Sequence, residues 1–351
     1  MGLKIGIIGF GGMAHWHASN AGKLEGVEFL AAYDVDEQQL VSAEKEFGMK
    51  PCRTLDELLN IPEINFVLVA TPNQVHKELV IAALRAGKNV MTEKPATLSV
   101  ADWDEMVAVS RECGKLLTVH QNRRWDKDYR VMREVIENGT IGKVYSIESR
   151  VFGTVGGMYG WRAFKEYGGG MVLDWGVHLI DQIMNMIPEK VVSVYANLFT
   201  IFSDEVDDNI KIMLRFENGV SALLEMSTNC FVNLPRWHVS CENGTAVVED
   251  WSCKGRMVQL NTDAEMAWDE EIVYTEAGPT RTMAPRPAHT LKELPLPEVQ
   301  VDWSDYYKNI VAVLDGKAEL IVKPEQALRV MKVIDTIFES DSTGKGIACS
   351  I

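Results

Sequence analysis

The chain has no apolar run approaching the ~18 residues of a membrane span, so a membrane-embedded protein is not indicated. Its first apolar stretch is short and broken by glycines, unlike a secretory leader, and the start Met-Gly-Leu-Lys-Ile-Gly lacks the hydroxyl residue of a myristoylation site. A cytoplasmic location is the expectation. The six cysteines, Cys52, Cys113, Cys230, Cys241, Cys253 and Cys349, form no Cys-x-x-Cys pair and show no ligand-like spacing with histidine. Reduced thiols filling the core are expected, with no disulfide framework and no metal site. A basic surplus is missing too: 35 Lys and Arg stand against 50 Asp and Glu, a net charge of −15. That balance argues against nucleic acid or an anionic membrane as the main partner. Internal repeats and low-complexity tracts are also absent.

What is present fits two globular domains. The 351 residues exceed one typical core, and 46% hydrophobic with 24% charged residues is ordinary for such a chain. The opening, Lys4-Ile-Gly-Ile-Ile-Gly9-Phe10-Gly11-Gly12-Met13-Ala14, runs a short apolar strand into a glycine turn and then a helix. Gly9 suits the tight turn, Gly11 leaves room for a pyrophosphate against the backbone, and Ala14 permits close helix-on-strand packing. The following helix N-terminus offers unpaired N–H groups to phosphate oxygens. Spacing alone would also fit an ordinary turn. A second apolar run, Val27 to Tyr33, ends at Asp34, roughly 20 residues on, where a carboxylate can accept from both ribose hydroxyls. The same charge repels a 2′-phosphate, and neither Val35 nor Asp36 supplies a cation to hold one, so NAD is favoured over NADP.

Downstream, strand and helix patterns alternate, which predicts a parallel, doubly wound sheet. Thr54 stands three residues before Glu57 in capping-box register, and Asn65 to Ala70 reads as a buried parallel strand. It runs into Thr71-Pro72-Asn73 and then His76 at the start of a helix, a turn that faces the ligand at the carboxyl ends of the strands or is simply a Pro-Asn turn. The next strand ends at Glu93-Lys94-Pro95, where a lysine beside a glutamate is a candidate acid or base. Lys115 to His120 is the last strand of this unit, and Arg123 and Arg124 beyond it could orient a hydroxyl-rich or anionic substrate, or one of them could make a structural ion pair.

On the residues Gly9-Phe10-Gly11-Gly12-Met13-Ala14, Asp34, Ala70-Thr71-Pro72-Asn73 with His76, Ala86-Gly87-Lys88 and Glu93-Lys94-Pro95, the sequence resembles the Gfo/Idh/MocA family, the glucose-fructose oxidoreductase and inositol dehydrogenase group. The resemblance implies a hydride-transfer enzyme acting on sugars or polyols, an N-terminal Rossmann domain, and a C-terminal α+β domain with a large, mostly antiparallel sheet. It places Lys94 in the catalytic site and Gln121-Asn122-Arg123-Arg124-Trp125 at the domain junction. It also brings Trp161 and Arg162 near the cofactor.

The strongest constellation in the second half is Gly168-Gly-Gly-Met-Val-Leu-Asp174-Trp-Gly-Val-His178-Leu-Ile-Asp181. A helix starting just after the glycines would carry Asp174 and His178 on one face, with Asp181 near the same side. Histidine is the side chain most easily tuned to take a proton near neutral pH. Two ligands without a third make a poor metal site, and a buried helix with a satisfied histidine is the plain alternative. The family pattern has Asp and His at these two positions, with Lys94 as partner.

The expectations are therefore an α/β chain divided into 1–122, a Rossmann domain, and 123–351, a substrate and oligomerisation domain whose helix near 324–339 packs back onto the first. Lys94, Asp174 and His178 are the catalytic candidates, and Asn122 and Arg123 join them at the substrate. Gly9, Phe10, Gly11, Gly12, Met13, Asp34, Thr71, Pro72, Asn73, His76, Glu93, Lys94, Gln121, Trp161 and Arg162 are the cofactor candidates. Asn-Gly hairpins at Glu217–Gly219 and Glu242–Gly244 mark the second sheet, whose other face needs cover, and the family resemblance implies that a homodimer or homotetramer supplies it. The proline-rich stretch 275–299 reads as a long loop. Secondary-alcohol oxidation is the expected reaction. An NAD-dependent glycosidase working by transient oxidation, and a non-catalytic sugar sensor, are the alternatives.

Overall fold

The computed structural model describes residues 2–263, 272–281 and 286–351. Six parallel strands, β1 (Leu3–Ile8), β2 (Val27–Tyr33), β3 (Lys50–Cys52), β4 (Phe66–Val69), β5 (Asn89–Thr92) and β6 (Leu117–Val119), form one sheet in the order β3-β2-β1-β4-β5-β6. That is the doubly wound dinucleotide-binding order, with the strand order reversing between β1 and β4. Helices α1 (Gly12–Ala21), α2 (Glu37–Phe47), α3 (Leu55–Leu59), α4 (His76–Arg85) and α5 (Val100–Cys113) connect them. β1 and β4 are buried on both faces, as a central parallel strand must be. The Thr54–Glu57 capping box opens α3 as its spacing predicts, and Gly48 ends α2 in the left-handed conformation. The short edge strand β3 escapes sequence reading because three residues containing Pro51 carry no periodic signal.

The second sheet has nine strands. They are β7 (Val144–Phe152), β8 (Val191–Phe199), β9 (Asn209–Phe216), β10 (Ser221–Ser227), β11 (Trp237–Cys241), β12 (Gly244–Val248) and β13 (Gly255–Leu260), joined by β16 and β17 below. A separate hairpin is formed by β14 (Ile272–Thr275) and β15 (Gly278–Arg281), while β16 (Leu291–Leu294) pairs with β13 and β17 (Ile347–Ala348) with β8. The stretch 275–299 is thus not a plain loop. Its edge strand Leu-Lys-Glu-Leu is almost wholly exposed and so lacks the apolar alternation of a half-buried strand. All pairings in the large sheet are antiparallel except β7 with β10. Cys241 pairs with Gly244 across the two-residue turn Glu242-Asn243.

Helices α6 (Lys127–Asn138), α7 (Val177–Met186) and α9 (Pro324–Thr343) bury their apolar sides against one face of this sheet. On the other face Tyr195 and Met213 are exposed, in register with Leu223 across β8, β9 and β10. The chain's end returns to the first core. Tyr306, Tyr307 and Ile310 of α8 (Asp305–Leu314) are buried in it, with Val322 and Ala327, and the Trp103 Nε1–H donates to Pro324 O at 3.2 Å. Most of α9, from Val330 to Ile337, belongs instead to the second core. Among the described residues no helix is long and apolar enough to cross a membrane.

Candidate active site

The glycine turn between β1 and α1 leaves its backbone open. Gly9 has φ +86°, and a Cβ there would lie 2.8 Å from Ala70 O and 2.7 Å from Thr71 Cγ2, so only glycine fits. Cβ atoms at Gly11 and Gly12 would meet nothing within 4 Å, leaving the backbone open on that side. No side chain caps α1, so its first N–H groups have no side-chain acceptor there. Ala14 is fully buried, while Phe10 is also buried and packs on His15 and Phe47. Asp34 Oδ2 accepts from Phe10 N at 2.6 Å and Oδ1 from Asp36 N at 2.9 Å, which fixes the carboxylate beside the turn. Open backbone, a free helix N-terminus and a preset acid together fit a dinucleotide. Buried Thr71 Oγ1 and Gln121 Oε1, at the ends of β4 and β6, have no hydrogen-bond partner among the described residues, as suits atoms facing a ligand.

Other expected cofactor residues have their polar groups engaged within the fold. His76 is fully buried with Nδ1 3.0 Å from Pro95 O and Nε2 3.0 Å from Thr71 O, so it ties two strand-end turns together. Asn73 donates to Gly168 O at 2.8 Å and links the first sheet to the loop before the Asp174 segment. The Glu93 carboxylate turns inward: its Oε1 accepts from His17 Nε2 and His120 Nδ1, each at 2.8 Å, and Oε2 from Lys94 N at 3.3 Å. Tyr307 Oη in turn meets His17 Nδ1. Burial lowers the His17 pKa to about 4, and the two histidines hold the Glu93 carboxyl well below the usual carboxylate range despite its burial. His17, Glu93 and His120 form a three-donor set of the kind that can ligate a metal ion, yet Glu93 Oε1 already serves both rings. Their arrangement braces the backbone of Lys94 from behind.

Lys94, at the end of the β5 segment and followed by a cis peptide bond to Pro95, reaches the second half of the chain. Its Nζ donates to Asp174 O at 2.8 Å and Oδ1 at 2.9 Å. Arg162 Nε donates to the same Oδ1 at 3.0 Å, and its guanidinium lies 4.4 Å from the Trp161 ring centroid. Arg162 is therefore a neighbour of Asp174. Burial would raise the Asp174 pKa, but Lys94 and Arg162 outweigh it and keep the carboxyl lowered.

Asp174 does not sit on an α-helix that begins at the glycines. Residues Val172–Gly176 make a π-helical turn, and α7 follows from Val177. Asp207 Oδ2 accepts from Val172 N at 2.7 Å, and burial raises its pKa to about 6. Single π turns widen a helix locally and occur often at functional sites. Asp174 faces Lys94 while His178, one turn later, is buried with Nδ1 unbonded. Burial and the nearby cations Lys94 and Arg123 keep His178 neutral well below its ordinary range. Asp181 parts from this group. It forms a two-pronged ion pair with Arg124, Nε–Oδ2 2.7 Å and Nη2–Oδ1 2.6 Å, buried among α7 and the start of α9. Of the two adjacent arginines, Arg124 is thus structural. Arg123 instead lines a cavity of about 360 Å³ next to Asp174, with Arg162, Trp175, Thr228 and Trp251 among the other walls. Gln182 Nε2 holds Arg123 O at 2.8 Å, and Asn122 lies in the same short turn, Asn122–Trp125. Trp251 and Asp207 carry no sequence signal, since each reaches the site from a turn remote in the chain.

Comparison with known proteins agrees with this architecture. Residues 3–121 match the model described as an oxidoreductase family with an NAD-binding Rossmann fold, and residues 129–247 match the GFO/IDH/MocA C-terminal domain. The myo-inositol 2-dehydrogenase of Thermotoga maritima is 31% identical over 233 residues, 64% of this chain and 68% of that protein. The scyllo-inositol 2-dehydrogenase (NADP(+)) of Bacillus subtilis is 26% identical over 305 residues, 84% of this chain and 81% of that protein. A solved NAD-binding protein from Listeria innocua superposes with a TM-score of 0.88 at 36% identity, covering 99% of this chain and 97% of that one. With each of its two sheets matched by one of that family's two domain models, the chain belongs to the GFO/IDH/MocA family of oxidoreductases, and it is a dehydrogenase acting on CH–OH groups.

Proposed function

We propose that the protein oxidises a secondary hydroxyl of a sugar, glycoside or polyol, with NAD as the hydride acceptor and Lys94, Asp174 and His178 as its catalytic residues. The observation that carries this reading is the Lys94 ammonium, clamped by Asp174 one turn before a buried His178 whose Nδ1 has no partner among the described residues. Gly9 to Met13 and Asp34 would hold the cofactor, with Thr71, Pro72 and Gln121 at its other end. A bound nicotinamide supplies an electrophilic carbon that takes a hydride. Asp174 fixes the position of the Lys94 ammonium, which can donate a hydrogen bond to the substrate oxygen as negative charge grows on it. His178 has an unbonded Nδ1 and is neutral at pH 7, so it can accept the hydroxyl proton. Burial excludes water from both groups and strengthens their mutual influence.

The carboxylate of Asp34 disfavours a 2′-phosphate and favours NAD, although one relative named above carries NADP in its name. Tyr195, Met213 and Leu223, aligned on the uncovered sheet face, support a homo-oligomer, which light scattering on the purified protein would measure. The decisive experiment is incubation with NAD and a panel of sugars, glycosides and polyols, following NADH absorbance. Substrate-dependent NADH from the native chain that Lys94→Ala abolishes supports the reading. No NADH with any member, or equal rates in the variant, would sink it.

A further inference from the structure

One wall of the cavity carries Arg123, Trp175 and Trp251, and two further groups, Arg236 and Trp237, pack next to Trp251 and Arg236 in turn. The Arg123 guanidinium lies 4.0 Å from the Trp175 ring centroid and 5.5 Å from that of Trp251. The Arg236 guanidinium is 4.7 Å from the Trp251 ring centroid and 4.7 Å from that of Trp237. Trp175 and Trp251 are themselves 5.9 Å apart, inclined by 50°. Four segments distant in the chain supply these groups: the turn after β6, the π turn, the turn between β12 and β13, and the start of β11. Arg123 lies against the Trp175 ring with Asp126 holding its Nη1, so its guanidinium fork is oriented in advance.

The two arginines differ in access. Arg236 is buried, with Asp128 Oδ2 3.1 Å from its Nε. Arg123 gives one Nη1 hydrogen bond to Asp126 at 2.8 Å, leaves Nε without a partner, and borders the cavity. Trp251 is 49% exposed and borders the same space, offering an apolar face of the kind on which the C–H faces of a sugar ring pack.

The charged groups bordering the cavity are Arg123, Arg162 and Asp174. Asp174 is shared between Arg162 and Lys94, which uses up its negative charge. Asp126 pairs with Arg123, so Arg123, Arg162 and Lys94 meet two carboxylates and a surplus of one cation remains here in a chain whose overall charge is −15. A neutral polyol would leave that surplus unanswered, whereas a carboxylate or phosphate would meet a planar guanidinium suited to it.

We propose that the substrate is a ring-shaped sugar or polyol bearing an anionic substituent, a carboxylate or a phosphate, with its ring on Trp251 and its anion at Arg123. This rests on the hydride-transfer reading above. The ring and the anion bind on one side of Asp174, and the hydroxyl to be oxidised faces Lys94 and His178.

Trp175 and Trp251 both lie beside Arg123, so intrinsic tryptophan fluorescence reports binding without any need for turnover. The native chain with NAD is titrated with glucuronate, glucose 6-phosphate and glucose. The expected result is that at least one anion binds tenfold or more tightly than glucose, about 1.4 kcal/mol; which of the two does so tells carboxylate from phosphate. Added NaCl should weaken the anion and spare glucose, since only the former depends on charge. Arg123→Met should erase the preference, and Trp251→Ala should weaken anionic and neutral ligands alike. Because the preference and its salt dependence are read on the native protein, a variant that fails to fold does not rescue the idea. Equal affinity for all three ligands, or no response to either anion, overturns the proposal. NADH formed from neutral polyols in that case would leave the dehydrogenase reading standing.

Discussion

Lys94 Nζ lies 2.9 Å from Asp174 Oδ1 and 2.8 Å from the Asp174 carbonyl oxygen, so one residue of the second sheet's helical layer grips the lysine of the first sheet twice. The pair joins the two halves of the chain at the proposed reacting centre. Lys94→Ala should lower kcat by ~10³-fold, within the range for a positioned acid or base, while NAD affinity measured by calorimetry stays within threefold. Asp174→Asn keeps the carbonyl contact and removes the charge, so a smaller loss is expected. A Lys94→Ala enzyme with near-native kcat would remove the lysine from the chemistry.

His178 is neutral in the free protein because burial and the cations Lys94 and Arg123 oppose its protonation. Its acidic limb in the pH profile of kcat/KM should therefore lie below the pH 6.5 of an ordinary histidine, not at it. In His178→Gln the rate should drop and that limb should disappear. An unchanged limb in the variant would assign the titration to another group.

Asp34 is held by Phe10 N and Asp36 N, so its carboxylate cannot easily swing away from an incoming 2′-phosphate. The kcat/KM ratio of NAD over NADP should exceed ~10 and fall by at least that factor in Asp34→Ser, each tenfold step being about 1.4 kcal/mol. Equal use of both cofactors by the native enzyme would show that the acid does not discriminate.

How much of this was legible in the sequence depended on whether the chemistry was local. Gly9, Asp34 and Glu93-Lys94-Pro95 lie at strand ends whose apolar runs and turns are readable, and the parallel, doubly wound sheet follows from the alternation of strands and helices, though its edge strand β3 does not. Glu93 is expected at the cofactor from its place beside Lys94, but its inward partners are not legible there. Its partners His17 and His120 stand 76 and 27 residues away and declare themselves only in the packed core. Arg123 and Arg124 are equivalent as letters, and only the position of Asp181 separates a structural ion pair from a cavity wall. Trp251 sits in a turn with no pattern at all, while the π turn at Asp174 differs from an α turn only in which carbonyl each N–H meets. Edge strand β16 was hidden by its exposure.

The buried histidines make stability sensitive to acid. His17 is lowered to about 4, and His76 and His178 are lowered as well, all chiefly by burial. Between pH 6.5 and about 4 the unfolded chain binds protons that the folded one refuses, so stability is full above pH 6.5 and falls as pH drops through this window. Glu93, lowered by its histidine partners, adds to the fall as pH approaches the ordinary carboxylate range. Asp207, raised to about 6 by burial, acts in the opposite sense and offsets only part. The melting temperature should therefore decline from pH 7 to pH 4.5, and less steeply in His17→Gln. A flat melting profile in the native protein would contradict these buried neutral rings.

The Arg124–Asp181 pair is 5% and 3% exposed, and Arg124 also donates to Ile321 O at 3.1 Å and Gln326 Oε1 at 2.9 Å. It therefore ties α7 to the chain entering α9, and neither residue borders the cavity that Arg123 lines. Removing one partner leaves a buried, uncompensated charge, which costs ~3–5 kcal/mol, whereas replacing both by apolar groups can be nearly neutral. Asp181→Asn should accordingly shift the chemical-denaturation midpoint strongly downward, and Arg124→Met with Asp181→Leu should recover more than half of the loss. The kcat/KM pH profile should keep its shape in both, because neither residue meets Lys94, Asp174 or His178. A shifted acidic limb in Asp181→Asn would instead connect this pair to the titration of His178, and a loss below ~1 kcal/mol would show that the pair is not the desolvated ion pair that its geometry describes.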